Sequence, residues 1–317
     1  MANRHEDLLA LSSAFPGARI AMEVGTHSPW ISRLLEEAGH EVLVANARKL
    51  RAIYTNDRKC DELDARMLAR LGRVDPNLLH PIRHGSEQSQ RDLVLIKMRS
   101  SLVKRRVDLI SSIRCSLKSL GVRLPSPSTP CFAKAARATL RHEEPELLAS
   151  IEPCLASLDA LTESIRAYDC KIAEAAQSRH PVTEVLRQVA GVGPVTALCF
   201  VLTIEDPRRF ARTRDVGAYL GLTPRRDQSG GTERELPITK AGNRQLRTLL
   251  VQAAQYIMGN FGPDCELRRF GESLVARGGK AAKKRAVIAV ARKLAVLLLA
   301  LWKTKGPYEP FHREEPA

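Results

Sequence analysis

The sequence predicts an α/β segment, then a long helical hairpin, then a helical C-terminal region. Three observations carry this reading. Short strand-like apolar runs alternate with helical ones over residues 1–82. Apolar positions recur every seventh residue in two stripes across residues 86–180. From residue 182 to 305 the pattern is helix and turn, broken by glycine-rich connections. Alternating strand and helix implies a mainly parallel sheet with helices on its faces, and sevenfold stripes imply helices wound on one another.

Within the first segment, His5 to Ser13 is a short helical run and Ala18 to Glu23 a buried strand ending at a carboxylate. A helix from Ser28 through Ala38 closes at Gly39, Glu41 to Ala45 is a second strand, and Asp61 to Leu71 a further helix. Parallel sheets bind at the carboxyl ends of their strands, which is where Glu23 falls. The segment is short for this architecture.

The first long helix carries Ile96, Val103, Ile110 and Leu117 in sevenfold spacing, with Leu93, Val107 and Leu120 alongside. Its other faces hold Arg91, Lys97, Arg99, Lys104, Arg105, Arg106, Arg114 and Lys118. That is either the solvated face of a packed hairpin or a face for nucleic acid. Prolines at 125, 127, 130 and 145 mark residues 121–145 as a linker or loop cluster. A second helix, Glu146 to Gln177, repeats the stripe, with Pro153 expected to kink or delay its start.

With 50 Lys and Arg against 35 Asp and Glu, the net charge is +15 and the pI near 9.8. This surplus favours a polyanionic partner, while aromatics at 4% argue against a base-stacking platform as the main contact. Seven dispersed cysteines without a Cys-x-x-Cys pair suit reduced thiols, and a zinc site is not expected. No apolar run approaches the roughly 20 residues of a membrane span. The expectation is a soluble, cytoplasmic protein.

Three constellations could carry chemistry. Val185 to Leu198, VLRQVAGVGPVTAL, has the pattern of a helix–hairpin–helix. Gly191 and Gly193 permit the tight turn, and the next helix start, with Thr196, offers N–H groups to a phosphate. Such a turn grips backbone and not bases. Asp61 and Asp64 share one face of a helix start, and with Glu23 they could hold Mg²⁺ through oxygen ligands; helix-dipole stabilisation explains the two aspartates equally well. Ser229 sits before Gly230 and Gly231, near Arg225, Arg226 and Arg234, cations suited to a transferring phosphoryl group, although a flexible Gly-Ser loop reads the same way. A further turn at Thr239 to Asn243 sets Lys240 and Asn243 before another helix.

The stretches AMEVGTHSPW, KCDELDARMLA, GVGPVTALCFVLTIEDPRRF, GAYLGLTPRRDQSGG and ITKAGNRQLRTLLVQAA together resemble the DEDD transposases of the insertion-sequence one-ten family and the related pilin-gene invertases. The match runs in order along nearly the whole chain. It implies a ribonuclease H or RuvC-like first domain, a coiled-coil connection and a helical transposase domain. It places metal-binding carboxylates at Glu23, Asp61 and Asp64, and a serine nucleophile that links covalently to DNA at Ser229. It also implies Mg²⁺, element-end and target DNA, a structured bridge RNA as guide, and work as a dimer or tetramer. Arg99, Lys104 and Arg105 then become candidates for an RNA or DNA face.

The departure from the family is at the start. Its members open with a strand bearing a first aspartate, and this sequence is expected to lack that strand, since Asp7 lies in a helical run. Two alternatives to a recombinase follow: a catalytically inactive, truncated remnant that only binds nucleic acid, and a hydrolytic nuclease using the acids and water.

Overall fold

The computed structural model describes residues 4–46, 49–50, 60–229 and 232–311. They form two compact units, divided between Ser86 and Glu87.

In the first unit, strands β1 (Arg19–Glu23) and β2 (Glu41–Ala45) pair in parallel, Arg19 opposite Glu41 and Glu23 opposite Ala45. Side chains alternate across a strand, so the two faces collect different sets. Ile20, Met22 and Val42 meet Leu8 of helix α1 (His5–Ala14) and Ile31 and Leu35 of α2 (Ser28–Glu37). Ala21, Leu43 and Ala45 meet Leu68 and Leu71 of α3 (Asp61–Val74), together with Leu79. The result is the expected layering of helices on both faces of a parallel pair. Gly72 lets α3 come close, because a Cβ there would lie 3.3 Å from Leu79 and 3.4 Å from Ala21. On its other edge, β2 bridges to Ile82 through the Ile82 N–H and the Val44 carbonyl, 2.9 Å.

The second unit opens with α4 (Glu87–Ser119), which packs against α6 (Pro145–Arg179). Their cross-pairs are Asp92 with Arg179, Arg99 with Asp169, and Arg106 with Thr162. One number falls as the other rises, so the hairpin is antiparallel, as its stripes predict. Pro153 sits inside α6 and does not delay it. Residues 121–145 are not only a loop: Phe132–Glu143 form helix α5, which the prolines obscured. Its Phe132, Ala136 and Leu140 cover Ile110, Ile113 and Leu117 at the distal end of the hairpin. That second neighbour helps bury Ile113, outside the sevenfold stripe, while Val107 and Leu120, expected in the stripe, are 44% and 65% exposed.

The other end of the hairpin is built into the main core. Ile96 and Ile172 join a cluster centred on α8 (Pro194–Ile204) and α12 (Ala282–Thr304). Eight of the eleven residues of α8 are buried, so it is an internal helix with apolar residues all round. Around it lie α7 (Val182–Arg187), α9 (Asp215–Tyr219), α10 (Arg244–Ile257) and α11 (Glu266–Ala276). No described helix is long and apolar enough to cross a membrane.

The expectation of an all-helical C-terminal region is corrected at one place. Pro224–Ser229 and Thr232–Ile238 are antiparallel strands β3 and β4. The signal was two polar runs separated by Gly-Gly, a hairpin pattern. Their lack of apolar alternation hid it.

Candidate functional site

The first unit carries the predicted carboxylates. Glu23 ends β1, and Asp61 and Asp64 occupy the first turn of α3. Arg19 Nη1 donates to the Gly72 carbonyl at 3.2 Å, so the end of α3 lies beside the start of β1 and the helix runs antiparallel to the strands. From Gly72 back to Asp64 is about 12 Å along a helix axis, and from Arg19 to Glu23 about 13 Å along a strand. All three acids therefore stand at the carboxyl end of the sheet. They do not converge: among the described residues no group of three His, Cys, Asp or Glu could hold a metal ion. The donors are hard oxygens of the type Mg²⁺ takes, but their spacing does not make a chelating site.

In the second unit, the turn between α7 and α8 has Gly191 at φ +80°, where a Cβ would lie 3.0 Å from the Ala253 carbonyl. That glycine is needed for close packing on α10. Gly193 caps α8 and is exposed, whereas Thr196 is buried at 7% exposure. Only Gly193 among the three residues predicted here faces solvent. A polar threonine in an apolar run looks like a ligand in sequence and proves to be core.

Ser229 ends β3 and pairs with Thr232, leaving Gly230 and Gly231 between the strands; those two glycines and the Ser229 side chain lie outside what is described. Ser229 is therefore at the tip of the β-hairpin. The register shifts between Pro224 and Arg226, an irregularity that adds twist near the base. Arg225 is exposed, and the Arg226 side chain is outside the described set.

The base of the hairpin is locked to the core. Thr239 N–H donates to the Thr223 carbonyl at 2.9 Å and Lys240 N–H to Gly221 at 3.1 Å. Arg247 Nη1 donates to the carbonyls of Leu220 and Ala241, at 3.0 and 2.6 Å. Gly221 and Gly242, both at positive φ, bring these turns together: a Cβ on either would fall 2.2 Å from backbone atoms of the other segment. Asn243, predicted to touch nucleic acid, caps α10 by accepting from Leu246 N–H at 3.1 Å, and its amide donates to Thr203 at 3.2 Å. Lys240 is exposed in a left-handed turn. Sequence reasoning missed this lock; the signals were the glycines at 221 and 242, twenty-one residues apart.

The basic helix divides. Arg99 pairs with Asp169 across the hairpin, Arg106 is buried against Thr129 and Thr162, and Arg114 lies over the Phe132 ring while donating to the Pro125 carbonyl. Those three hold the hairpin together. Lys97, Lys104, Arg105 and Lys118 are exposed and present the outward charge. Asp92 is 2% exposed, with Arg179 at 2.6 and 3.1 Å and His180 Nε2 at 2.9 Å. Burial alone would raise its pKa, but hydrogen bonds from Arg179, then His180 and Gln88, outweigh it and hold the carboxyl below its ordinary range.

Both halves of the chain match models of transposases of insertion sequences. A transposase model of the DEDD IS110 type covers residues 2–121, and the model described as transposase IS116/IS110/IS902 family covers residues 183–268. The chain belongs to the DEDD transposases of the IS110 family. Among its relatives, a putative transposase of Sinorhizobium fredii is 28% identical over 95% of this chain and 76% of its own length. The transposase for insertion sequence element IS1111A of Coxiella burnetii is 29% identical over 80% of this chain and 70% of that protein. The pilin gene-inverting protein of Moraxella lacunata is 27% identical over 39% of this chain and 38% of its own length. Family membership implies DNA binding and dependence on a divalent metal.

Proposed function

We propose that this transposase is a site-specific recombinase that breaks and rejoins DNA through Ser229. The observation that carries the reading is the position of Ser229 at the tip of a short β-hairpin whose base is fixed to the core by Arg247, Gly221 and Gly242. A nucleophile needs such a mount, because catalysis rewards a reacting atom held in one orientation. In the step, the Ser229 oxygen bonds to a DNA phosphorus and loses its proton. The bond from phosphorus to one deoxyribose oxygen breaks, and that oxygen leaves with a proton. A second hydroxyl then attacks the serine phosphodiester and restores the free serine, so strand exchange proceeds without net hydrolysis. Arg225 and Arg226, on the same strand, supply positive charge to the phosphate oxygens. This link to serine sets the reading apart from a hydrolytic nuclease.

Glu23, Asp61 and Asp64 are the proposed metal-binding carboxylates, for Mg²⁺. Element-end and target DNA are the substrates, a bridge RNA is the guide, and a homo-oligomer, dimer or tetramer, is the working form. Gly193, Arg225, Lys240, Lys104 and Arg105 are the exposed members of the proposed nucleic-acid surface. One observation favours a second reading, a nucleic-acid-binding protein without chemistry: the described carboxylates do not converge. Incubating protein, Mg²⁺, guide RNA and element-end DNA, followed by denaturing electrophoresis, separates the two. A protein–DNA adduct that Ser229→Ala abolishes, with binding unchanged, supports the recombinase. Tight binding without any adduct supports the second reading.

A further inference from the structure

A groove of about 880 Å³ lies between the base of the Ser229 hairpin and the start of α12. Leu236 and Ile238 of β4 form one wall, and Ile288 and Ala289 of α12 form the floor. Arg277, Lys284, Arg285 and Arg292 line it too, and no acidic residue does among the described ones. None of these four cations has an ion-pair partner among the described residues, although fifteen ion pairs are described elsewhere in the chain. The stem of Arg292 lies against Gly217, where a Cβ would be 2.8 Å from its Cγ.

An apolar slot rimmed by unpaired cations suits a flat, apolar group tied to an anion. Among the described residues the groove offers no neutral polar side chain that could read a base edge. From these features we infer that the groove takes one unstacked nucleotide of a single DNA strand, its base between β4 and α12 and its phosphates on Lys284, Arg285 and Arg292, without sequence preference. Aliphatic walls and guanidinium planes accept any base face. From Pro224, at the groove, to Ser229 is about 17 Å along an extended strand, so DNA seated here is led toward the hairpin tip. This inference rests on the proposed role of Ser229 and names the substrate form that site would receive.

The test is a fluorescence titration of the full chain with a single-stranded DNA carrying 2-aminopurine at one position. An abasic site in that position should weaken binding by about two- to fivefold, the range of one exposed cation–π contact. Ala289→Phe, which fills the floor, should produce the same loss, suppress the 2-aminopurine response and remove the effect of the abasic site. The paired Lys284→Gln and Arg285→Gln change, at exposed positions that leave the core intact, should lower the salt slope by about 1.4. Equal binding of intact and abasic strands, or Ala289→Phe without effect in a folded protein, overturns the base slot. An RNA strand preferred tenfold over DNA overturns the choice of DNA. If Ala289→Phe abolishes self-association and leaves oligonucleotide affinity unchanged, the occupant is a second copy and the inference fails. Ser229→Ala should leave every groove signal intact. Groove signals without any adduct would therefore sink the nucleophile and spare the groove, and adducts without groove signals would do the reverse.

Discussion

The two units bury their apolar residues in different ways. In the first, two strands separate two small clusters, Leu8, Ile31 and Leu35 on one face and Leu43, Ala45, Leu50, Leu68 and Leu79 on the other. In the second, a main cluster reaches from Ile96 to Trp302 and takes in almost every helix that supports the Ser229 hairpin, and a smaller one closes the far end of the long hairpin. Small cores leave little surplus over conformational entropy, so the unit with the carboxylates is the easier of the two to open. The mount of the proposed nucleophile shares the stability of the larger core, and the proposed metal ligands do not.

The largest effect that sharpens this contrast is in the centre of the second unit. Phe200→Ala should cost about 3–5 kcal/mol, because a fully buried ring leaves a cavity among helices on every side. Leu43→Ala in the first unit should cost about 2–3 kcal/mol and lower only the earlier of two melting transitions. Calorimetry reads both, and a single transition shifted equally by either change would break the comparison.

Asp92→Asn comes next, at about 2–3 kcal/mol, since it leaves Arg179 and His180 facing a neutral amide. The carboxyl's folded pKa is depressed, so its contribution is full above the ordinary carboxylate value near 4 and is lost as pH falls through the folded one. Acid unfolding of the hairpin should therefore flatten in Asp92→Asn; an unchanged acid limb contradicts this role.

Much of this was legible in the sequence, for identifiable reasons. A parallel strand pair with helices on both faces writes itself as alternation, and Glu23 at its carboxyl end follows from the topology alone. The sevenfold stripes gave the antiparallel hairpin because each helix has one dominant neighbour over most of its length. The stripe failed at Val107 and Leu120, which lie outside the cluster that α5 closes, Leu120 beyond the helix end. Thr196 and Asn243 were read as ligands because a polar side chain beside a turn looks the same whether it faces solvent, core or its own helix start. Arg99, Arg106 and Arg114 were indistinguishable from Lys104 and Arg105 for the same reason: a charge is visible in sequence, and its partner across the hairpin is not. The β-hairpin was hidden by its polar composition, with Gly230 and Gly231 the remaining trace.

A smaller effect separates the cysteines. Burial pushes the Cys199 thiol up to about 12, and Cys265 is also buried, while Cys60, Cys115, Cys131 and Cys170 are exposed. Alkylation of the native protein at pH 8 should label the exposed four within minutes and leave Cys199 and Cys265 unmodified until the second unit opens. Labelling of Cys199 at the rate of Cys170 would mean that the large core is not closed to the reagent.

The most direct measurement is to isolate the covalent protein–DNA adduct, digest it, and locate the nucleotide by mass spectrometry. The nucleotide is predicted on the peptide that spans Ser229, at Ser229 itself. Attachment to a tyrosine, to another serine, or to no residue under conditions that cut the DNA would contradict a recombinase built around the hairpin tip.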